Sequence, residues 1–184
     1  MELSILYAIP RTEALDPVFV GATMLAGSIG QLWLILAAVL LIFKKTRRVG
    51  AAVLISYIGV AVFGELILKH LFFRPRPCEV DQTFALLITR PTSSSFPSTH
   101  TAFSFGAATA IFMNYKRAGI AAFVLALLIA FSRLYLFVHF PTDVLCGAIL
   151  GVVIGIAAVR LCDMAEKRYK KKSQNPGSRR NKII

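Results

Sequence analysis

The sequence predicts an all-α fold, a polytopic membrane helix bundle of about five transmembrane helices with an N-terminal helix lying in the membrane interface. Apolar residues make up 57% of the 184 residues, which is more than an ordinary soluble domain carries. They gather in five long runs, and most basic residues lie in clusters between those runs. We therefore expect one membrane-embedded domain over residues 1–162, followed by a basic, disordered cytoplasmic tail over residues 163–184.

Each predicted element follows from its local pattern. Residues 1–16 mix apolar and polar groups too loosely to cross a bilayer, and fit a helix that lies in the interface. A spanning helix needs about 20 residues at about 1.5 Å of rise each, so the third apolar run is short and is extended by its polar start. The tail is basic and is broken by Asn-Pro-Gly, which indicates disorder. The five apolar runs are about 18–43, 49–72, 99–115, 118–138 and 141–161.

The distribution of charge predicts the orientation. Clusters of four, two and nine basic residues, 15 of the 21 in the chain, lie at 44–48, 116–117 and 160–182. With five spans these clusters all fall on one side of the membrane, which the positive-inside rule makes cytoplasmic. We therefore expect a multi-pass plasma-membrane protein whose 73–98 loop and 139–141 turn face outward.

Composition also excludes several classes of function. The net charge of +12 could suggest nucleic-acid binding, but apolar runs separate the basic clusters and no aromatic residues are interleaved with them as a stacking platform. The three cysteines, Cys78, Cys146 and Cys162, lack metal-ligand spacing and do not suggest a disulfide framework. We expect no nucleic-acid partner, and the oligomeric state cannot be read from the sequence.

Three polar stretches converge on the predicted outer side. Charged groups at the edge of hydrocarbon are costly unless they pair, reach water or take part in chemistry. A single arginine or histidine at a helix end is usually only interfacial, but the joint occurrence of these stretches on one face indicates a site. The stretches are KHLFFRPRP with Lys69 and Arg76, SSSFPSTH with Ser98 and His100, and FSRLYLFVHFPTD with Arg133, His139 and Asp143.

The residue types in this cluster predict a phosphate ligand. Arginine forks match the geometry of phosphate oxygens. Ser98 is a favourable N-cap, and the N–H groups of Thr99 and His100 would point out of a helix N-terminus, where anions bind. Glu65 lies four residues before Lys69 on a helix, which favours an ion pair over a direct catalytic role. The fixed positive charges of the predicted site are Lys69, Arg76 and Arg133.

The two histidines are predicted to have different roles. His139 precedes Asp143 by four residues, so the carboxylate can reach back and hold one ring nitrogen protonated, which leaves the other nitrogen as a nucleophile. His100 has no such carboxylate beside it. It lies next to the anion site, where it can donate a proton to a leaving oxygen.

These residues resemble a known family, the type 2 phosphatidic acid phosphatases, which are integral-membrane lipid phosphatases. The resemblance implies an α-helical bundle, a phosphohistidine intermediate on His139, His100 as the acid, and no metal or other cofactor. The clear departure is Thr99, where the family pattern has glycine. The matching motifs are Lys69 with Arg76-Pro77, Pro97-Ser98-Thr99-His100, and Ser132-Arg133 with His139 and Asp143.

The expected function is hydrolysis of a lipid-linked diphosphate or phosphomonoester at the outer face, with the bilayer and a lipid phosphate as partners. The resemblance to bacterial members suggests undecaprenyl diphosphate as the substrate. Phosphatidylglycerophosphate and phosphatidic acid remain alternatives. An anion transporter or channel is the alternative from another class, but it predicts charges along the depth of the bundle rather than at one end.

Overall fold

The computed structural model describes residues 1–27 and 30–174, and these ranges are helical with no β-strand. Short irregular segments join the helices, and the longest of them covers residues 81–98. A π-helical segment, Ala61–Leu68, connects α4 to α5. The α-helices are α1 Glu2–Tyr7, α2 Asp16–Ala26, α3 Gln31–Ile42, α4 Arg47–Val60, α5 Lys69–Phe72, α6 Pro77–Val80, α7 Thr99–Asn114, α8 Lys116–Tyr135 and α9 Pro141–Gln174.

Three helical stretches in the described ranges are long and apolar enough to cross a membrane, namely 47–80, 116–135 and 141–171. A fourth crossing is possible if α2 and α3, which meet at a bend of 51°, act as one span. The predicted helical membrane protein is confirmed, but the predicted count of five spans is not. α7 has only 16 residues, which corresponds to about 24 Å of helix.

α7 lies at the centre of the bundle, packed against α4, α8 and α9. From Thr101 to Ile111, every residue except Phe105 is buried. Three glycines on α9 allow the backbones of α7 and α9 to approach closely, as small residues do in membrane bundles. A Cβ atom at Gly155 would lie 2.7 Å from the carbonyl oxygen of Gly106, and Cβ atoms at Gly147 and Gly151 would overlap carbonyl oxygens of the α7 region.

The two ends of the chain differ from the sequence-based expectation. α1 contains only six residues, and Leu6 is fully buried against the turn around Phe137. The N-terminal helix, which was expected only to lie in the membrane interface, therefore also packs against the turn around Phe137. At the other end α9 continues to Gln174, into the segment expected to be a disordered tail. Residues 175–184 lie outside the described residues.

Candidate active site

A cavity of about 1000 Å³ opens at the end of the bundle where α7 begins and α8 ends. Its wall includes two predicted residues from α7 and one from each of four other segments. Ser98 and Asp143 lie behind this wall and are fully buried. The structure thus brings all eight predicted site residues to one end of the bundle. The predicted residues that line the cavity are Lys69, Arg76, Thr99, His100, Arg133 and His139.

Arg76 is the most extensively bonded cation of the cavity, with 2% of its surface exposed. Its Nε donates to the carbonyl oxygen of Ser93 at 2.7 Å, and its Nη2 donates to Ser93 Oγ at 3.1 Å and to the carbonyl oxygen of Ser94 at 3.3 Å. Its Nη1 donates to the carbonyl oxygen of Val138 at 2.8 Å and lies 3.2 Å from Nε2 of His139. Arg76 therefore joins the long loop to the turn that carries the histidine.

The contact with Arg76 defines which nitrogen of the His139 ring carries the proton. A guanidinium group can only donate, so Nε2 of His139 must accept and the ring proton lies on Nδ1. The pKa of His139 is held well below its usual range by burial and then by the positive charges of Arg76, Arg133 and Lys69. The ring is therefore neutral near pH 7, and Nε2 carries the lone pair that a nucleophile requires.

Asp143 lies beside His139 without forming a hydrogen bond to it. The distance between its Oδ2 atom and Nδ1 of His139 is 3.7 Å, which is too long for a hydrogen bond. Oδ2 instead accepts from Ser95 Oγ at 2.5 Å and from the main-chain N–H of Phe140 at 2.8 Å. Asp143 thus fixes the turn around the histidine, and a small movement of the ring would complete the predicted pair.

Arg74 is a site residue that sequence reasoning missed. Its Nη1 donates to Oδ1 of Asp143 at 2.5 Å and to Thr142 Oγ1 at 2.7 Å, and its guanidinium lies 4.3 Å from the ring centroid of Phe140. Its Nη2 donates to Glu2. The N-terminal helix therefore helps to hold the arginine that neutralises Asp143. Its position in the RPRP stretch was visible in the sequence, but its target was not.

Arg133 is 3% exposed and retains unused donor capacity. Its Nη1 donates to Thr23 Oγ1 on α2 at 2.6 Å. Its buried Nε has no partner among the described residues, although burying an unpaired donor is costly. Thr23 itself was not predicted, because nothing in the sequence links α2 to a residue 110 positions away. The free donor of Arg133 suits an anionic ligand in the cavity.

Lys69 and Thr99 share a partner in Glu65. The ammonium of Lys69 donates to Glu65 Oε1 at 2.8 Å and to Ser93 Oγ at 3.3 Å. The hydroxyl of Thr99 donates to the same Oε1 atom at 2.6 Å. The expected ion pair between Lys69 and Glu65 is present. The Thr99 hydroxyl is engaged with this carboxylate, so its N–H is the group that remains for a phosphate.

His100 and Ser98 are held by local contacts. The Nε2 atom of His100 lies 2.8 Å from the carbonyl oxygen of Gly27, an acceptor only, so Nε2 carries a proton. Ser98 precedes α7 as predicted, but its hydroxyl pairs with Thr101 Oγ1 at 3.0 Å instead of capping the helix. Its N–H donates to the carbonyl oxygen of Asp143 at 3.0 Å. This last bond ties the start of α7 to the turn that carries the nucleophile candidate.

Comparison with known proteins gives a consistent result. Residues 50–167 match the PAP2 superfamily. The chain is 36% identical over 130 residues to the undecaprenyl-diphosphatase of Sulfolobus acidocaldarius, covering 70% of this chain and 63% of that protein. It is 30% identical over 114 residues to the undecaprenyl-diphosphatase BcrC of Bacillus subtilis, covering 60% of this chain and 58% of that protein. The matches thus span less than two thirds of these relatives' own lengths.

Solved structures share the fold. The crystal structure of Aquifex aeolicus LpxE superimposes with a TM-score of 0.68 at 30% sequence identity, covering 86% of this chain and 92% of that one. A transmembrane PAP2 type phosphatidylglycerolphosphate phosphatase from Bacillus subtilis gives a TM-score of 0.71 at 29% identity, covering 89% of this chain and 85% of that one. The similarity therefore extends over most of the helical bundle.

Proposed function

Because the chain belongs to the PAP2 superfamily, we propose that it is a metal-independent lipid phosphatase that hydrolyses a lipid-linked diphosphate or phosphomonoester at the extracytoplasmic face. Undecaprenyl diphosphate, cleaved to undecaprenyl phosphate, is the favoured substrate. The observation that carries the proposal is the cavity that His139 lines together with Lys69, Arg76 and Arg133.

The phosphate is bound by fixed charge and by the start of α7. Lys69 and Arg133 meet its oxygens, and the N–H groups of Thr99 and His100 point out of the helix N-terminus toward it. Ser98 contributes by anchoring this helix start through its bond to Asp143. These donors are preorganised in a buried site, which is where electrostatic stabilisation of a transferring phosphoryl group is largest. They supply the positive charge that a metal ion would otherwise provide.

The reaction proceeds in two transfers. Nε2 of His139 attacks phosphorus, the bond from phosphorus to the leaving oxygen breaks, and the electron pair stays on that oxygen, which takes a proton from His100. Asp143 stabilises the charge that develops on the His139 ring as Nδ1–H closes on its carboxylate. Water then attacks the phosphohistidine, gives a proton to His100, and releases inorganic phosphate and free His139.

The membrane arrangement proposed here has five crossings. The crossings are the bent pair α2–α3, the continuous helical stretch from α4 to α5, and the single helices α7, α8 and α9. α7 is short, but its burial among the other helices supports its role as a crossing. Arg133 and Lys116 lie at opposite ends of α8, so the cavity and the basic clusters are at opposite ends of the bundle. This supports an extracytoplasmic site and a cytoplasmic C-terminal segment.

The lining of the cavity supports an amphiphilic substrate. Apolar side chains of the loop and α2, including Leu86, Ile88 and Met24, share the wall with the cations. The volume of about 1000 Å³ exceeds what a phosphate alone requires. Two relatives named undecaprenyl-diphosphatase favour a prenyl diphosphate, while the phosphatidylglycerolphosphate phosphatase neighbour keeps phosphatidylglycerophosphate and phosphatidic acid as alternatives. The grouping of charges at one end disfavours an anion transporter.

The test is turnover of purified protein in detergent, with undecaprenyl diphosphate, phosphatidylglycerophosphate and phosphatidic acid assayed separately in excess chelator. We expect the diphosphate to have the highest kcat/KM, with no loss in chelator and with inhibition by vanadate, a mimic of the transferring group. Activity that disappears in chelator and returns with a divalent metal would contradict the mechanism. Anion flux in vesicles without phosphate release would favour the transporter instead.

A further inference from the structure

A carboxylate lies inside the cationic cavity. Glu65 lines it beside Lys69, and its side chain is 30% exposed. A negative charge beside an anion site weakens anion binding. If only the fixing of Lys69 were required, Ser93 Oγ at 3.3 Å already provides a contact. The hydrogen bonds of Glu65 therefore do not account for its negative charge.

The local structure holds this carboxylate in one place. Its Oε1 atom accepts from both the Lys69 ammonium at 2.8 Å and the Thr99 hydroxyl at 2.6 Å. Glu65 lies in the π-helical segment, and such segments are frequent at functional sites. A Cβ atom at the neighbouring Gly64 would lie 3.1 Å from the Thr99 methyl group. Thr99, the departure from the family pattern, is thus packed against this segment and bonded to its carboxylate.

We propose that Glu65 is a positioning residue that tunes the charge of the phosphate site, so that product phosphate is released. This inference rests on the proposed function. Lys69, Arg76 and Arg133 together carry three positive charges, and the Glu65 carboxylate reduces the formal sum to two. A dianionic product held by three buried cations would leave slowly, and product release limits kcat in many enzymes. Glu65 weakens that binding while keeping Lys69 aimed at the site.

The Glu65→Gln variant separates charge from geometry. The amide oxygen can still accept from Lys69 and Thr99, but the negative charge is gone. We expect the inhibition constant of inorganic phosphate to fall about tenfold, since a unit charge at this range in a partly exposed site has an effect of that order. We also expect kcat for the lipid diphosphate to fall as release slows. A purely structural role predicts no fall in this constant, because the amide would either hold Lys69 as before or hold it less firmly and so weaken phosphate binding.

A matched control exists at the far end of the protein. Glu166 forms an ion pair with Lys170 at 2.5 Å with the same i, i+4 spacing, and it is remote from the cavity. Glu166→Gln removes the same charge from the same kind of pair. We expect it to leave the inhibition constant of phosphate unchanged. Equal effects of the two substitutions would mean that net charge alone matters, and would overturn the proposal.

The experiment measures inhibition by inorganic phosphate at about pH 8, where phosphate is mainly dianionic, with turnover followed by chromatography of the lipid product. Phosphate-dependent shifts in Tm measured on the same detergent-solubilised proteins report binding without turnover. Tighter phosphate binding in Glu65→Gln alone supports the proposal, whereas unchanged or weaker binding overturns it. If the wild-type protein hydrolyses no lipid phosphate, the proposed function fails, but the comparison of Tm shifts still decides whether Glu65 tunes anion binding.

Discussion

The Asp143 carboxylate shows how single residues organise the site. It accepts from Arg74, Ser95 and the N–H of Phe140, and its main-chain oxygen accepts from Ser98. Asp143 thus holds together the segment before α6, the 81–98 loop and the start of α7. Its contact with the His139 ring, at 3.7 Å, is the loosest of the set, which leaves room for the ring to move when a phosphate binds.

Arg74 should therefore act on turnover through Asp143. We expect Arg74→Gln to lower kcat roughly 10²-fold, the cost of a small misplacement of a catalytic group, with KM nearly unchanged. Arg74→Lys should recover part of kcat, because it restores a positive charge without the two-pronged geometry. Steady-state kinetics on one lipid diphosphate provide the measurement. A change confined to KM would show that Arg74 contacts the substrate instead.

The role of His100 should depend on the leaving group. An alkoxide is a poor leaving group because its conjugate acid, an alcohol, is about as weak an acid as water, whereas the departing phosphate has a second pKa of about 6. His100→Ala should therefore lower kcat/KM about 10²–10⁴-fold on an alkyl phosphomonoester and much less on the diphosphate of the same lipid. Equal losses on the two substrates would remove His100 from the role of general acid.

The sequence was informative about residues whose chemistry is unusual for their surroundings. Polar and charged side chains next to apolar runs identified six of the residues that line the cavity, together with the buried pair Ser98 and Asp143. The partners of these residues were hidden, because Ser93 and Ser95 lie in a loop without periodicity and their hydroxyls act through tertiary contacts. That Thr99 binds phosphate stays a prediction. Its hydroxyl is bonded to Glu65, a contact that no local pattern indicates.

At the scale of the helices, the pairing of α7 with α9 sets the position of the site. The glycines at 147, 151 and 155 recur every fourth residue and face the α7 backbone. This close approach brings Ser98 to the turn before α9. The spacing of the glycines along α9 thus determines whether the turn that carries His139 meets the start of α7.

Gly151→Ala should disrupt this pairing. The added Cβ would overlap the carbonyl oxygen of Ala102, and backbone has little freedom to move, so we expect a loss of about 1–3 kcal/mol, a lower Tm in detergent and a large loss of kcat. Gly21→Ala on α2 is the control, because a Cβ atom there would have no neighbour within 4 Å. Similar Tm values for the two variants would refute the close-packing account.

The apolar runs predicted most of the helices but missed features that other effects decide. The run 18–43 contains a bend because Gly27 and Gly30 adopt φ values of +74° and +73°, which favour glycine. α9 extends to Gln174 because lysine, arginine and glutamate form helices well, and because Glu166 pairs with Lys170. The basic composition of the segment after residue 162 suggested disorder. The same residues can nevertheless continue a helix whose earlier part is packed in the bundle.

For the molecule as a whole, the predicted family is confirmed by the family match and by the shared fold, and hydrolysis of a phosphate ester stays the proposed activity. Three motifs in order, each next to the start or the end of an apolar run, were enough for that prediction. The number of membrane crossings could not be obtained in the same way, because α7 is shorter than a typical span and is stabilised by the helices around it. Its role depends on tertiary packing rather than on its own hydropathy.

The most direct test of the central claim is to trap the covalent intermediate. Protein in excess chelator is mixed with lipid diphosphate labelled in its terminal phosphate and quenched in alkali within one turnover, since phosphohistidine survives base. The account predicts label on the peptide that contains His139, and none in a His139→Ala variant, which should also lack turnover. Hydrolysis by wild-type protein with no label on His139, or turnover that persists in His139→Ala, would contradict it.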